Sequence, residues 1–502
     1  MGALAAAAWL LVALARFGWF DFWWMALPLL ITAAALGAIA WVRAGWFDRL
    51  ATLGLMVVAL VLAGAPAQQM ALSGDAAIYS NEAAFLARTG SVGGPYTPLA
   101  SLSPETRDLF YIDSGEQFDG RYTVQAYDGM LYGGYYVVEP GDDGTTPMLR
   151  QSRMAQTSAW QAFLLRLFGP PSNFWVGIAA GVIALWLLYA TGRRIAPPWI
   201  AFWSALLLAV SLPQLYLVRS SLSEPVGQLW TVAGLYCAVR WLQERRPWAL
   251  VAALLFWMTA WSARIDAALL VGPALLLLLE AARTRDGAAL RAAALALPGL
   301  ALLAMLGNNP PYVGATVELF SRIEPLFLPA LGALLLATPV ALIVLWRWGN
   351  GLTDLYKRHD RWWNLLLFAP AAFVVLWATL PNPWRVEGIT RPFQEIIWFS
   401  SASLTPLLYW LALAGVGLVL WRRAGAAQAF LVLATLGLGA AYFLDYTSAP
   451  LYPISLRRLA ADLLPLLVLL AGQAIALLPP VRGAAWRPAL QGGIALAALI
   501  WM

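Results

Sequence analysis

Apolar runs separated by short polar stretches fill the chain, and each run reads as a membrane-crossing helix. They lie at 2–20, 22–42, 50–66, 173–190, 196–217, 225–242, 248–263, 267–281, 288–306, 325–347, 362–380, 404–421, 427–445, 458–478 and 488–502. A crossing needs about 20 apolar residues. The runs are continuous rather than alternating, which predicts helices and excludes a β-barrel. The first lacks a basic leading segment and a clear small-residue cleavage site, so it reads as a span and not as a signal peptide. Two runs are short, sixteen residues at 248–263 and fifteen at 267–281, joined by Arg264-Ile265-Asp266. That shortness predicts a turn held in a cavity below the outer surface.

One segment breaks the pattern. Residues 67–172 are polar, with eleven acidic and six basic residues, and loops of this length are usually functional. The segment opens with Ser73-Gly74-Asp75, and Ala76 to Leu86 reads as an amphipathic helix for which Asp75 is a natural N-cap. Tyr- and Gly-rich Arg121–Val138 alternates as a hairpin does. Gly141-Asp142-Asp143-Gly144 reads as a turn, and its two carboxylates as a weaker divalent-cation candidate. Met154 to Phe168 reads as a helix along the membrane, ended by Gly169-Pro170-Pro171.

Composition sharpens the class. Of 502 residues, 61% are hydrophobic and 12% charged, with mean hydropathy +0.70. Soluble chains carry about 25% charged residues, so a soluble enzyme and a disordered scaffold are both excluded. A single Cys (Cys237) rules out an intramolecular disulfide and a cysteine zinc site. With a single His (His359), catalysis must rest on carboxylates and arginines. The chain carries one lysine and 31 arginines, which says nothing about function. One side of the predicted topology holds 18 basic and 6 acidic residues, the other 14 and 20. By the positive-inside rule the basic side is cytoplasmic, and the net charge of +6 is no sign of nucleic-acid binding. Ionisable groups gather at outer helix ends: Arg219, Glu224, Arg264, Asp266, Asp445, Arg457, Arg458 and Asp462. Charges at that depth suggest function or pairing. Arg219–Glu224 or Arg264–Asp266 pairs would be structural. Arg457 and Arg458 either snorkel to the headgroups or bind a phosphate.

The order of these motifs resembles the GT-C superfamily of polytopic glycosyltransferases, which includes protein O-mannosyltransferases and aminoarabinose transferases. The residues that carry the resemblance are Gly74-Asp75-x-x-x-Tyr79 opening a long outer loop, Leu167-Phe168-Gly169, Arg193-Arg194, Arg219-Ser-Ser-Leu-Ser-Glu224-Pro225, Arg240-x-x-x-x-Arg245-Arg246 and Arg264-Ile265-Asp266. It covers about residues 50–282, with a weaker echo at Ser455–Pro465. It implies an all-α polytopic membrane protein: a GT-C-type helical bundle of about 13 core transmembrane helices, two extra N-terminal ones and a large mixed outer loop. The expected division is 1–49, an extra hairpin; 50–66, the first core helix; 67–172, the extracytoplasmic loop; 173–306, core helices; and 307–502, C-terminal helices with outer loops.

The resemblance also implies a polyprenyl-phosphate sugar donor and an acceptor hydroxyl on the outer face of a bacterial plasma membrane, with a glycan, lipid or protein as acceptor. Asp75 matches the family's catalytic Asp. Arg457, Arg458, Arg264, Tyr79, Glu82, Arg219, Glu224 and Asp266 are the candidate substrate-binding residues. The expected reaction is inverting and metal-independent, with no cofactor. A lipid-linked-saccharide flippase, a ligase or polymerase using a lipid-diphosphate oligosaccharide, and a membrane scaffold are the rival readings. The first would spread charges through the bilayer interior, and the second usually carries its large loop much later in the chain.

Overall fold

The computed structural model describes residues 1–66, 75–95, 101–103, 130–131, 135–138, 148–151, 153–310, 312–314, 327–379, 406–444, 461–478 and 486–501. The chain begins with α1 (Gly2–Arg16), a 3-10 segment (Phe20–Ala26), α2 (Leu27–Arg43) and α3 (Trp46–Ala63). The long polar loop contributes α4 (Asp75–Thr89), four short strands and α5 (Ala155–Phe168). The bundle continues with α6 (Trp175–Ile195), α7 (Pro198–Val210), α8 (Leu212–Arg219), α9 (Glu224–Glu244), α10 (Pro247–Ala263), α11 (Val271–Arg283) and α12 (Gly287–Gly307). It ends with α13 (Phe327–Arg358), α14 (Asp360–Thr379), α15 (Pro406–Trp421), α16 (Ala426–Leu444), α17 (Leu464–Ala476) and α18 (Trp486–Trp501).

The apolar pattern accounts for most of these elements, with three instructive differences. The run 196–217 is a broken span: α7 and α8 meet at 63°, where Pro213 in the first turn of α8 removes a backbone donor. The run 267–281 starts earlier than its apolar residues, because Ile265–Leu270 coils as a 3-10 turn and the helical stretch Ile265–Arg283 reaches 19 residues. Asp266 therefore sits in a helical first turn, not in a loop. Helix α13 runs 32 residues, well past the predicted 325–347. Among the described residues, five helices are long and apolar enough to cross a membrane, or six if the bent pair is one span. Several others, including α1, α10, α15 and α17, are apolar but shorter.

The outer loop carries a four-stranded antiparallel sheet in the order β1 (Gly93–Pro95), β4 (Met148–Gln151), β3 (Tyr135–Val138), β2 (Met130–Leu131). The predicted hairpin is the β2–β3 pair, while Asp142 and Asp143 lie outside the described residues. Helix α5 ends where expected, at Gly169 with φ of +71°.

The main core joins α3, α6, α7, α9, α10 and α15 to α17 through residues such as Leu188, Leu207, Trp230, Trp241 and Leu470. A second core lies under the outer loop. There Ala7, Leu11, Leu14 and Ala15 of α1 pack with Ala83 and Leu86 of α4 and with Ala159, Ala162 and Phe163 of α5. Trp9 Nε1 donates to Thr259 Oγ1 of α10 at 3.0 Å, and Arg166 of α5 pairs with Asp21 at 2.6 Å. The first N-terminal helix is thus built into the platform that carries the loop.

Close helix approach depends on single glycines. A Cβ at Gly415 of α15 would lie 2.0 Å from the Leu470 carbonyl oxygen of α17, whereas one at Gly437 of α16 would meet nothing within 4 Å. Gly415→Val forces α15 and α17 apart, at a cost of about 1–3 kcal/mol or more. A clear drop in thermal stability in detergent is expected for Gly415→Val and little change for Gly437→Ala.

Candidate active site

Three helix ends meet at one buried point, each bearing the charge its dipole favours. Glu224 lies in the first turn of α9, Asp266 in the first turn of the 3-10 segment, and Arg264 caps the C-terminus of α10. Arg264 Nη1 lies 3.1 Å from Glu224 Oε1. Its Nε donates to Asp266 Oδ1 at 2.8 Å, and its Nη2 to Asp266 Oδ2. The Arg264 side chain is 5% exposed and that of Glu224 4%. The aliphatic stem of Arg264 fits because residue 227 is glycine: a Cβ there would lie 2.5 Å from Arg264 Cδ.

A second carboxylate network lies further along α9. Thr231, seven residues from Glu224 and on the same helix face, donates to Asp462 Oδ1 at 2.7 Å. Tyr442 of α16 donates to Asp462 Oδ2 at 2.5 Å. Asp462 is buried, 1% exposed, and within electrostatic reach of Arg264 and Asp266.

The outer loop docks on the same helix end. Tyr79 of α4 is buried and its hydroxyl donates to Ser223 Oγ at 3.0 Å, immediately before Glu224. Asp75 is the first residue of α4, one turn before Tyr79, so the helix rise puts its backbone about 6 Å from that of Tyr79. The Asp75 side chain lies outside the described residues, as do Arg457 and Arg458. Among the described residues, no three metal-ligating side chains come close enough to hold an ion.

Glu82 anchors the loop from inside. Gln151 Nε2 donates to its Oε2 at 2.6 Å, Ser158 Oγ to the same oxygen at 2.7 Å, and the Arg153 N–H to Oε1 at 3.2 Å. The Gln151 and Arg153 carbonyls in turn accept from Asn309 Nδ2 at 2.8 Å, beyond the end of α12. Burial pushes the Glu82 carboxyl up to about 7, against the opposing pull of its hydrogen-bond donors and of the Arg153 charge.

The structure therefore brings Tyr79, Glu224, Arg264 and Asp266 together and starts the Asp75 helix beside them. Glu82 sits among loop groups, holding α4, β4 and α5. Arg219, at the end of α8, is exposed, while Glu224 pairs with Arg264. Arg264 is buried, while Ile265 and Asp266 beside it remain partly exposed. Sequence reasoning noted Asp462 but did not join it to Thr231 or Tyr442. The stripe Glu224, Gln228, Thr231 along α9, polar on a single face of a buried helix, was the available signal.

Residues 157–307 match the family model described as dolichyl-phosphate-mannose-protein mannosyltransferase. The matched segment contains Arg219, Glu224, Arg264 and Asp266. No curated protein matches the chain. The fold is similar to the apo crystal structure of the oligosaccharyltransferase of Archaeoglobus fulgidus, with TM-score 0.50 and 14% identity over 92% of this chain and 55% of that one. A second structure of that archaeal protein, AglB, in complex with an inhibitory peptide and a dolichol-phosphate, aligns with TM-score 0.46 and 13% identity over 91% and 55% of the two chains. The chain spans about half the length of these solved structures.

Two outcomes are expected from this geometry. Arg264→Ala leaves two carboxylates buried without their cation and should cost about 3–5 kcal/mol, read as loss of folded protein in detergent. Glu82 titrates higher in the folded protein than its ordinary 4.5. Its contribution to stability is therefore fully present below about 4.5 and is lost as pH rises through 7, on the order of 3 kcal/mol in all. The melting temperature of wild type relative to Glu82→Gln should accordingly fall between pH 4.5 and 7 and level off above. A difference independent of pH would contradict this assignment. Residues 157–307 are thus similar in sequence to the dolichyl-phosphate-mannose-protein mannosyltransferase family, and the fold is similar to that of an archaeal oligosaccharyltransferase.

Proposed function

We propose that the protein transfers a sugar from a polyprenyl-phosphate donor to an acceptor hydroxyl on the extracytoplasmic face of the membrane. The observation that carries this reading is the docking of α4, through Tyr79 and Ser223, onto the helix end that lies within the mannosyltransferase match. That contact starts the Asp75 helix over the Glu224–Arg264–Asp266 cluster. The orientation, with basic loops in the cytoplasm, follows from the arginine distribution, and thirteen core crossings belong to the same proposal, as does a bacterial plasma membrane.

In the proposed reaction Asp75 accepts the proton of the acceptor hydroxyl. The freed oxygen bonds to the anomeric carbon as the bond from that carbon to the phosphate oxygen breaks. The electron pair leaves with the polyprenyl phosphate, and a single displacement inverts the anomeric centre. A positioned carboxylate base is worth about 10²–10⁴ in rate. Guanidinium groups stabilise the departing phosphate without having to lose a proton. Arg219, exposed at the outer end of α8, is the candidate among the described residues, joined by Arg457 and Arg458. Arg264 is already held by Asp266 and Glu224. Its role is to fix the floor of the site, with Glu82 holding the loop above. The site as proposed uses carboxylates and arginines alone, with no metal.

Purified wild type and Asp75→Asn are to be compared on a panel of polyprenyl-phosphate monosaccharides with labelled sugar. Asn keeps the size and capping ability of Asp but is no base. Wild type is expected to turn over one donor, and folded Asp75→Asn to be slower by about 10²–10⁴. Equal turnover by the two proteins would remove Asp75 from the mechanism.

A further inference from the structure

We infer that Asp462 is a positioning residue for the proposed transfer, acting from the C-terminal half of the chain through α9 on the helix that begins with Asp75. The inference rests on the transferase reading above and extends it beyond the matched segment, residues 157–307.

The path is a series of direct contacts. Asp462 accepts hydrogen bonds from Thr231 of α9 and Tyr442 of α16. Thr231 is two helical turns from Glu224, at the end of α9 where Ser223 receives the Tyr79 hydroxyl. Tyr79 lies one turn from Asp75. Oδ1 of Asp462 thus holds α9 and Oδ2 holds α16, which fixes the rotation of α9 against its neighbours, and that rotation sets where Ser223 Oγ accepts from the loop helix.

Burial makes this use of a carboxylate significant. Asp462, Thr231 and Tyr442 are each less than a tenth exposed, so water cannot replace a lost partner, and an unmatched polar group there carries its full desolvation cost. A second contribution is electrostatic. Arg264 already faces Glu224 and Asp266, and Asp462 adds a third carboxylate within reach.

A small misplacement of reacting groups costs up to about 10²-fold in rate, so the effect should fall on kcat. In the full-length protein, Asp462→Asn is expected to lower kcat for the donor turned over by wild type by about tenfold or more, with donor KM within about twofold. Tyr442→Phe and Thr231→Val, which keep the charge and remove one hydrogen bond each, should give smaller falls of the same kind. The fraction of folded protein is measured alongside by size-exclusion chromatography and thermal unfolding. Should Asp462→Asn fail to fold, the two hydroxyl variants carry the test alone. Normal kcat per folded molecule, with only stability reduced, would overturn the inference. Loss of activity in Asp75→Asn in the same preparations shows that the transferase reading stands, so the two failures are distinguishable.

Discussion

The ion cluster of Arg264 with Glu224 and Asp266 is the constraint on which this end of the bundle depends. A guanidinium and two carboxylates with little solvent exposure are costly unless they satisfy one another, and the same geometry leaves little freedom to rearrange. Each charge stands at the helix terminus whose dipole suits it, so the ends of α9 and α10 and the start of the next helical segment are pinned together. Gly227 is the complement of that arrangement, since any side chain there would occupy the space of the Arg264 stem. Everything proposed for the site sits on this fixed point: the loop helix through Ser223, and the C-terminal helices through Thr231.

The outer loop is the second half of the design. Its helices α4 and α5 pack on α1 through Leu11, Leu14, Leu86 and Phe163. Glu82 closes the junction from inside, and Asn309 ties it to the end of α12. A loop joined only by its ends to the bundle would leave Asp75 at the mercy of chain motion. Here the N-terminal helix acts as a buttress under the loop, and Trp9 fastens that buttress to α10. This gives α1 a physical role in holding the loop.

Much of this was legible in the sequence, and the rest was hidden for identifiable reasons. Apolar runs located most helices, because burial in lipid or in a helical core leaves a continuous signal. The loop helices were legible from local signs: an Asp with an amphipathic run at 75–89, and Gly169-Pro170 ending α5. The break at Ser211 could not be read from hydropathy, since both halves are apolar and only Pro213 hints at it. The 3-10 turn that carries Asp266 into the next helix could not be read from hydropathy, because the apolar run begins after it. The pairing of Arg264 with Asp266 was one of the expected alternatives. The link from Asp462 to Thr231 spans 231 residues, and no local pattern encodes such a contact. Asp75 itself stood out only through its place in the motif, since an N-cap and a catalytic base have the same sequence signature.

The most direct measurement of the account's central claim is a double-mutant cycle on Tyr79→Phe and Ser223→Ala, read as the rate of sugar transfer by folded protein. If the Tyr79–Ser223 hydrogen bond sets the position of the Asp75 end of the loop helix, either change alone removes that contribution and the second adds nothing. The account therefore predicts that the double variant is no slower than the slower single variant. Independent, additive losses from the two changes would contradict it, because they would mean that the helix bearing Asp75 is not held in place by its contact with the end of α9.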